Sequence, residues 1–562
     1  PLLASDRRAD REASVVEGFI AAYNEQGHEL ERTLQDLQPQ LTKLNAKLTV
    51  TFDGVDHIHR TMVDFLRDCG VHISGGDQVA IGTFNRYEIH FVIKKQNRGK
   101  RDSQLQFWKA VARGRTNLVF MTDCGTRFES DCLIALVEYM EEHDSVAACC
   151  GLQQIQSFDQ QKLPNEQRSI TDLFLRAAQG FEYDLSEPLS KAAFGAIGWM
   201  PVIPGPCGLY RVKDVSGPVL ENFEKWTKDL STSTEKNAGL AEDRLFQLAM
   251  LLHCDKKTAF VPHAVFYFQA ESLVALMQQR RRWRNGTLAA YLQILLRYKE
   301  LLRGKHSYAF SAMVLTGTVL QVLEFGLTML GPAIFAAAAS LGVDYLRHAL
   351  HVAVGGEQAH WVDTVVLTNA TNGIVNYTFV GNTTIHNATS TTIIIRQLID
   401  DSPSRVCFDP WLAFPAVAYL TIHAYFVVDQ FVHNEVGVRV RSLQVKIFSD
   451  VVVMVVLLSA IGVSAHIEGF GALQLFTVVG TLCPVPLALL HNPLCIFRLI
   501  RDVIPATLLL PTFSSTMQAF SIARWWETIW GNRPSLKEQA VRREEGEMVR
   551  VEEEEGEGEQ GE

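Results

Sequence analysis

The run Thr122-Asp123-Cys124-Gly125-Thr126 sets one carboxylate directly after an apolar stretch. There Asp123 can hold Mg2+ or Mn2+ against two phosphates, with substrate oxygens and water filling the other positions. A plain strand-end turn fits the same pattern. Ala241-Glu242-Asp243-Arg244 puts two carboxylates at the start of an apolar helical stretch, 245–252. A helix N-terminus favours their ionised form, so Glu242 and Asp243 are candidate general bases; an N-capping acidic pair reads equally well. The run Gln278-Gln279-Arg280-Arg281-Arg282-Trp283-Arg284-Asn285-Gly286 gathers four arginines around a tryptophan. Guanidinium groups pair with diphosphate oxygens and an indole offers an apolar face to a sugar ring; the alternative is an anchor at a membrane interface. A cation-holding carboxylate, a base and an anion-binding cluster meet the three demands of moving a sugar off a nucleotide diphosphate. The leaving group needs its charge neutralised, the acceptor hydroxyl must lose a proton, and the reactants must be held in line.

These residues need elements to position them. Residues 13–22, 47–52, 87–93 and 117–121 read as strands, and helical patterns fall near 28–44, 58–69 and 102–113. That alternation predicts an α/β domain with a largely parallel sheet and helices on both faces. Ligands bind such sheets at the carboxyl ends of the strands. Three of these strands run into acidic residues, at Glu25, Asp53 and Asp123.

The 562 residues are 47% hydrophobic with a formal net charge of −10, and the mean hydropathy is +0.05. Part of the negative charge sits in the Glu-rich tail, which composition marks as disordered, and no broad basic face suggests a nucleic-acid partner. The ten cysteines show no paired CxxC spacing, so a zinc site is not expected. The chain opens on Pro1 without a signal peptide, which reads as a processed or incomplete N-terminus. Long apolar runs at 310–343, 411–432, 447–465 and 470–490 are candidate membrane spans, the first longer than the ~20 residues one crossing needs. Basic residues at Arg297, Lys299, Arg303 and Lys305, and again at Arg439, Arg441 and Lys446, fit cytosolic loops. Between them lie four acceptor sequons, at Asn369, Asn376, Asn382 and Asn387, which as glycosylation sites place that segment outside the cytosol. Residues 493–513 are apolar but carry Arg498, Arg501 and Asp502, which suits an interfacial or re-entrant segment better than a crossing.

Gln279-Arg280-Arg281-Arg282-Trp283 followed by Asn285-Gly286 resembles the QRRRW(x)NG signature of chitin synthases, processive family 2 glycosyltransferases. Other segments follow in that family's order. Tyr23-Asn24-Glu25 is similar to the early donor-site segment and Asp53-Gly54 to the uracil-contacting strand end. Lys95 with Asn97-Arg98-Gly99-Lys100-Arg101 resembles the basic loop over uridine and phosphates, and Asp123-Cys124-Gly125-Thr126-Arg127 the metal segment. Gln179-Gly180-Phe181-Glu182-Tyr183, the loop Pro204-Gly205-Pro206-Cys207-Gly208-Leu209-Tyr210-Arg211, Leu240–Arg244 and Trp530-Gly531-Asn532-Arg533 match further family stretches. Pro206-Cys207-Gly208 stands where fungal members commonly have Ala-Phe-Ser, and Asn532 where they have Thr.

The resemblance implies a GT-A-type transferase fold followed by interfacial helices and a transmembrane helical domain. It implies UDP-GlcNAc as donor, a nascent chitin chain as acceptor and a divalent cation. Asp243, with Glu242 beside it, would supply the base and Asp123 the metal site. Tyr23, Glu25, Asp53, Lys95, Lys100, Arg101, Glu182, Tyr183, Cys207, Gln279, Arg280, Arg282, Trp283, Trp530 and Arg533 would bind substrate. The expected organisation is a cytosolic transferase domain at 1–272, interfacial helices at 273–306, a first span at 307–343 and an extracytosolic loop at 344–409. Three spans at 410–490, an interfacial segment with the WGNR motif at 491–536 and an acidic tail at 537–562 complete it. The resemblance thus implies a multi-pass plasma-membrane enzyme in the lipid bilayer and leaves a homo-oligomer open. A hyaluronan- or cellulose-type synthase, a non-catalytic glycosylated membrane scaffold and, more weakly, a transporter are the competing readings.

Overall fold

The computed structural model describes residues 14–156, 170–228, 230–353, 361–371, 374–380, 392–398, 410–433, 437–467, 484–491 and 495–528. The first part alternates strand and helix. In order come β1 (Val16–Ala22), α1 (Gly27–Lys43), β2 (Lys47–Asp53), α2 (Arg60–Asp68), β3 (Gln78–Phe84), β4 (Tyr87–Lys94), α3 (Lys100–Val111) and β5 (Leu118–Asp123). Then follow β6 (Arg127–Phe128), α4 (Cys132–Glu142), β7 (Val146–Ile155), α5 (Ile170–Ile197), β8 (Gly208–Arg211), α6 (Val212–Val215) and α7 (Pro218–Lys228). Last in this part are α8 (Ser233–Leu240), α9 (Glu242–His253), β9 (Lys257–Phe268) and α10 (Leu273–Leu296).

The strands form one sheet in the order β3-β4-β2-β1-β5-β8-β7-β9-β6. β4, β2, β1 and β5 run parallel to their neighbours within that block, and β8 inserts antiparallel between β5 and β7. The central strands are apolar on both faces, as strands covered on both sides must be. Alternation divides their side chains between two cores. Leu118 and Phe120 of β5 pack with Leu34, Leu48 and Phe52 on one side. Val119 and Met121 pack with Phe19, Trp108 and Phe246 on the other. Each such fully buried side chain stabilises by about 1.5–3 kcal/mol relative to exposure, so the sheet is a rigid floor. Its parallel carboxyl edge carries Asp53 and Asp123, the latter in register with Ala21 of β1.

Beyond α10 the apolar run starting near residue 310 is two helices, Tyr308–Thr328 and Gly331–Ala353. Pro332 stands in the first turn of the second helix, where its missing N–H costs nothing. Gly331–Ala353 packs against Pro410–Val432 and Val440–Ile467. Among the described residues two helices are long and apolar enough to cross a membrane, over Tyr308–Thr328 and Val440–Ser464. Leu320, Leu323 and Leu327 are exposed along the former. The expected fourth span falls largely outside the described residues, which there hold the helix Pro484–His491.

The sequon-bearing segment, expected as a loop, contains a three-stranded antiparallel sheet of Trp361–Thr371, Ile374–Val380 and Thr392–Leu398. Asn369 and Asn376 face each other in its register, while Asn382 and Asn387 lie outside the described residues. Helix Cys495–Leu508 is two-sided: Phe497, Ile500 and Ile504 are exposed, while Arg498 pairs with Asp184 of α5 at 2.7 Å. Its last turn leads into a π-helix, Thr512–Thr516, and the helix Met517–Ala523.

Candidate active site

Asp123 ends β5 at the sheet's carboxyl edge, with its side chain about a third exposed. Opposite it, Glu242 and Asp243 open α9. Between them comes Lys100, first residue of α3, delivered by Gly99, whose φ of 89° is open to glycine. Its Nζ lies 2.8 Å from Asp123 Oδ1 and 3.1 Å from Glu242 Oε1. The backbone N–H of Gly205 donates to Asp243 Oδ2 at 2.9 Å. Thr122 Oγ1 fixes that loop by donating to the Pro206 carbonyl at 2.7 Å.

Gly205 marks the point on which these groups converge. A Cβ there would stand 2.7 Å from Lys100 Nζ, 3.1 Å from Asp243 Oδ2 and 3.3 Å from Asp123 Oδ2. Two carboxylates and the Lys100 ammonium therefore meet at this point. Among the described residues no group of three or more His, Cys, Asp or Glu side chains is arranged to hold a metal by itself. The donor set therefore suits an ion taken mainly by Asp123 and completed by phosphate oxygens and water.

Burial, reinforced by the neighbouring Glu242 charge, pushes the Asp243 carboxyl up from its ordinary 3.8 to about 7; Lys100 and the Gly205 N–H pull the other way. A carboxylate tuned near neutrality is suited to taking a proton. Burial alone would lower the Lys100 ammonium, but the charges of Asp123, Glu242 and Asp243 carry it above its usual value. Arg101, also in α3, is pushed down by burial against partial compensation from Glu242, and its Nη1 is buried with no hydrogen-bond partner among the described residues.

The expected nucleotide end lies along the same edge. Asp53 is buried: its Oδ1 receives the Lys94 ammonium at 2.7 Å and the Arg98 N–H at 2.9 Å. Lys94 also meets Asp102 at 3.0 Å. Asp53 thus holds the 97–99 loop from beneath. The expected basic contact Lys95 is exposed, with its N–H on Asp77 Oδ1 at 2.7 Å, and the lysine that builds this region is Lys94. Strand alternation at the end of β4 turns neighbouring lysines to opposite faces, a signal the sequence did contain. The Tyr23 N–H donates to Glu25 Oε2 at 2.5 Å, and the Tyr23 ring sits 5.2 Å from that of His57.

The arginine-rich run divides into different jobs along α10. Arg280 donates to Glu182 Oε2 at 2.6 Å and lies over the rings of Tyr183 and Trp283, at 5.6 and 5.0 Å. Gln279 Nε2 donates to Glu271 Oε1 at 2.9 Å. Trp283 remains 36% exposed, and Arg282 follows Arg281 on the same helix. Arg281 is fully buried and pairs with Glu527 at 3.1 Å. Arg284 donates to the Ser514 carbonyl at 3.2 Å and Gln518 Oε1 at 2.7 Å, and Asn285 to the Ser521 carbonyl at 2.8 Å. These three grip the C-terminal segment. Gly286 lets α10 pass the start of α9: a Cβ there would come 2.4 Å from Ala241 Cβ, directly before Glu242 and Asp243.

Cys207, expected near the acceptor, is fully buried with its Sγ 3.9 Å from that of Cys132. The loop therefore presents its backbone to the site, and the thiol belongs to the core. Tyr183 is likewise buried, its ring edge-on to Phe268 at 4.8 Å. Trp530 and Arg533 lie outside the described residues.

Residues 83–298 match the family model of the chitin synthase-like glycosyltransferase domain. Chitin synthase 2 of Mycosarcoma maydis is 29% identical over 230 residues, covering 39% of this chain and 21% of that protein. Chitin synthase 3 of Verticillium dahliae is 26% identical over 274 residues, covering 47% of this chain and 30% of that protein. The matched stretch thus spans less than a third of either relative. Among solved structures, a mannosyltransferase from Pyrobaculum calidifontis in complex with GDP-Man and Mn2+ is similar at a TM-score of 0.34 and 12% identity, covering 55% of this chain and 74% of that one. Through residues 83–298, then, the chain is similar to the chitin synthase-like glycosyltransferase domain.

Proposed function

We propose that the chain polymerises N-acetylglucosamine, transferring it with inversion from UDP-GlcNAc to the 4-hydroxyl of a growing β-1,4 chain. The observation that carries this reading is the placement of Asp243, poised near neutrality and oriented by the Gly205 N–H, across Gly205 from Asp123. The acceptor oxygen bonds to C1 of the donor sugar as the bond from C1 to the diphosphate oxygen breaks, and the hydroxyl proton passes to Asp243. UDP carries away the electron pair of the broken bond. A divalent cation, Mg2+ or Mn2+, held by Asp123 and the diphosphate would supply neutralisation of the leaving-group charge. Lys100 and Arg101 add positive charge from α3 at the same place. Trp283 with Arg280 offers the sugar an apolar and a polar contact.

In this reading residues 1–272 form a cytosolic transferase domain and α10 with residues up to 306 lies along the membrane. The apolar helices carry the product across, and the two-sided helix Cys495–Leu508 rests in the interface with Phe497, Ile500 and Ile504 toward lipid. Tyr23 and Glu25 would flank the nucleotide, Trp530 and Arg533 would close over it, and the sequons would lie on the far side.

Purified protein given radiolabelled UDP-GlcNAc and Mg2+ is expected to form a polymer that chitinase degrades. Product that appears only with UDP-glucuronic acid or UDP-glucose would assign the chain to another β-linked polymer. Gly205→Ala tests this meeting point separately. Its Cβ would displace the ends of Lys100 and Asp243, and a misplacement of about 1 Å costs roughly a hundred-fold in turnover. Unchanged turnover in that variant would show that these groups do not need to meet there.

A further inference from the structure

Three carboxylates, Asp123, Glu242 and Asp243, come together at the end of the sheet, and like charges so close repel one another. One ammonium holds them: Lys100 Nζ, at 2.8 Å from Asp123 and 3.1 Å from Glu242. Its side chain is 11% exposed, so little water screens the pairing. The oxygen it occupies, Asp123 Oδ1, belongs to the carboxylate best placed to hold a divalent cation. An ammonium and a divalent cation on one carboxylate repel each other, so both cannot bind it at full strength.

We propose that Lys100 is the resident counter-cation of the donor-free site, and that a divalent cation competes with its ammonium for Asp123. Lys100 keeps the acidic cluster compact while the site is empty. Once displaced, its ammonium, on a flexible four-carbon stem, is free for the oxygens of an arriving nucleoside diphosphate. The site thereby binds metal weakly alone and well with nucleotide, which ties cation uptake to donor arrival. This rests on the proposed function only in taking Asp123 as the cation's ligand.

The test uses the full chain in detergent or nanodiscs, with Mn2+ alone as probe and free Mn2+ read by electron paramagnetic resonance. Lys100→Met is expected to bind Mn2+ roughly ten-fold tighter than wild type or better, as loss of a cation within hydrogen-bonding reach of a carboxylate implies. Its metal-free melting temperature should fall below that of wild type and recover on addition of Mn2+. Equal or weaker Mn2+ affinity in the variant would overturn the proposal. Should the variant not fold, reductive methylation of wild type followed by mass spectrometry answers the same question. Lys100 should be protected without Mn2+ and reactive with it, and reactivity indifferent to Mn2+ would also overturn the proposal. Neither readout uses a sugar nucleotide, so a failure to make polymer from UDP-GlcNAc tests the function and leaves this result standing.

Discussion

Asp243→Asn is expected to lower polymer formation by about 10²–10⁴-fold, the range general-base catalysis spans, while UDP binding changes little. The asparagine carbonyl can keep the hydrogen bond from the Gly205 N–H, which Asp243 Oδ2 now accepts at 2.9 Å. The geometry therefore survives, and only the capacity to take a proton is lost. Burial foremost, then the Glu242 charge, raises the carboxyl to about 7. The sign follows from the role: a base must be ionised, so activity is lost when the group is protonated. In wild type kcat/KM should fall about ten-fold per pH unit below that value and level off above it. In Asp243→Asn the residual rate should lack that acid limb. Turnover near wild type in the variant, or an acid limb that persists in it, would remove Asp243 from the proton transfer.

The carboxyl-edge residues Asp53 and Asp123 were legible because a parallel sheet gathers polar groups where apolar strands end, and those strands show plainly in the chain. Asp243 was legible as an acidic residue at a helix start. The arginines of α10 were not separable in the same way. Arg281 and Asn285 are one helical turn apart and share a face. Both meet residues 521–527, more than 230 positions away, and nothing local to the run announces such partners. Lys95 was the expected contact, and the end of β4 turns its neighbour Lys94 inward onto Asp53 instead. Gly205 and Gly286 stood within recognised motifs, but their value is the space they leave beside Asp243 and Ala241, which only the packed structure displays. The break near residue 330 had its signal in Gly331-Pro332, a helix-starting pair inside an apolar run whose length left one tilted span or two short segments open.

Glu527→Ala should be the most damaging substitution for stability. Glu527 is almost wholly buried and stands between Arg281, at 3.1 Å, and Arg524, at 2.8 Å, both of them fully buried. Removing the carboxylate takes away a counter-charge that two buried guanidinium groups share. Breaking a buried pair by deleting one partner costs about 3–5 kcal/mol. For a domain of this size that corresponds to a fall in melting temperature of about 6–20 °C. Scanning fluorimetry with a thiol-reactive dye can follow this, since Cys132, Cys149, Cys150 and Cys207 are all buried and become reactive on unfolding. Glu527→Gln should cost less because the amide oxygen still accepts from one arginine. The paired replacement Arg281→Met with Glu527→Leu should also cost less than the sum of its parts, because the stranded charge at Arg281 is then absent. The same carboxylate holds the segment leading to Trp530 against the helix that passes Ala241. If that segment helps retain the donor, Glu527→Gln should raise KM for UDP-GlcNAc more than it lowers kcat. A melting temperature unmoved by Glu527→Ala would mean that the ion pair does not hold the C-terminal segment to the transferase domain.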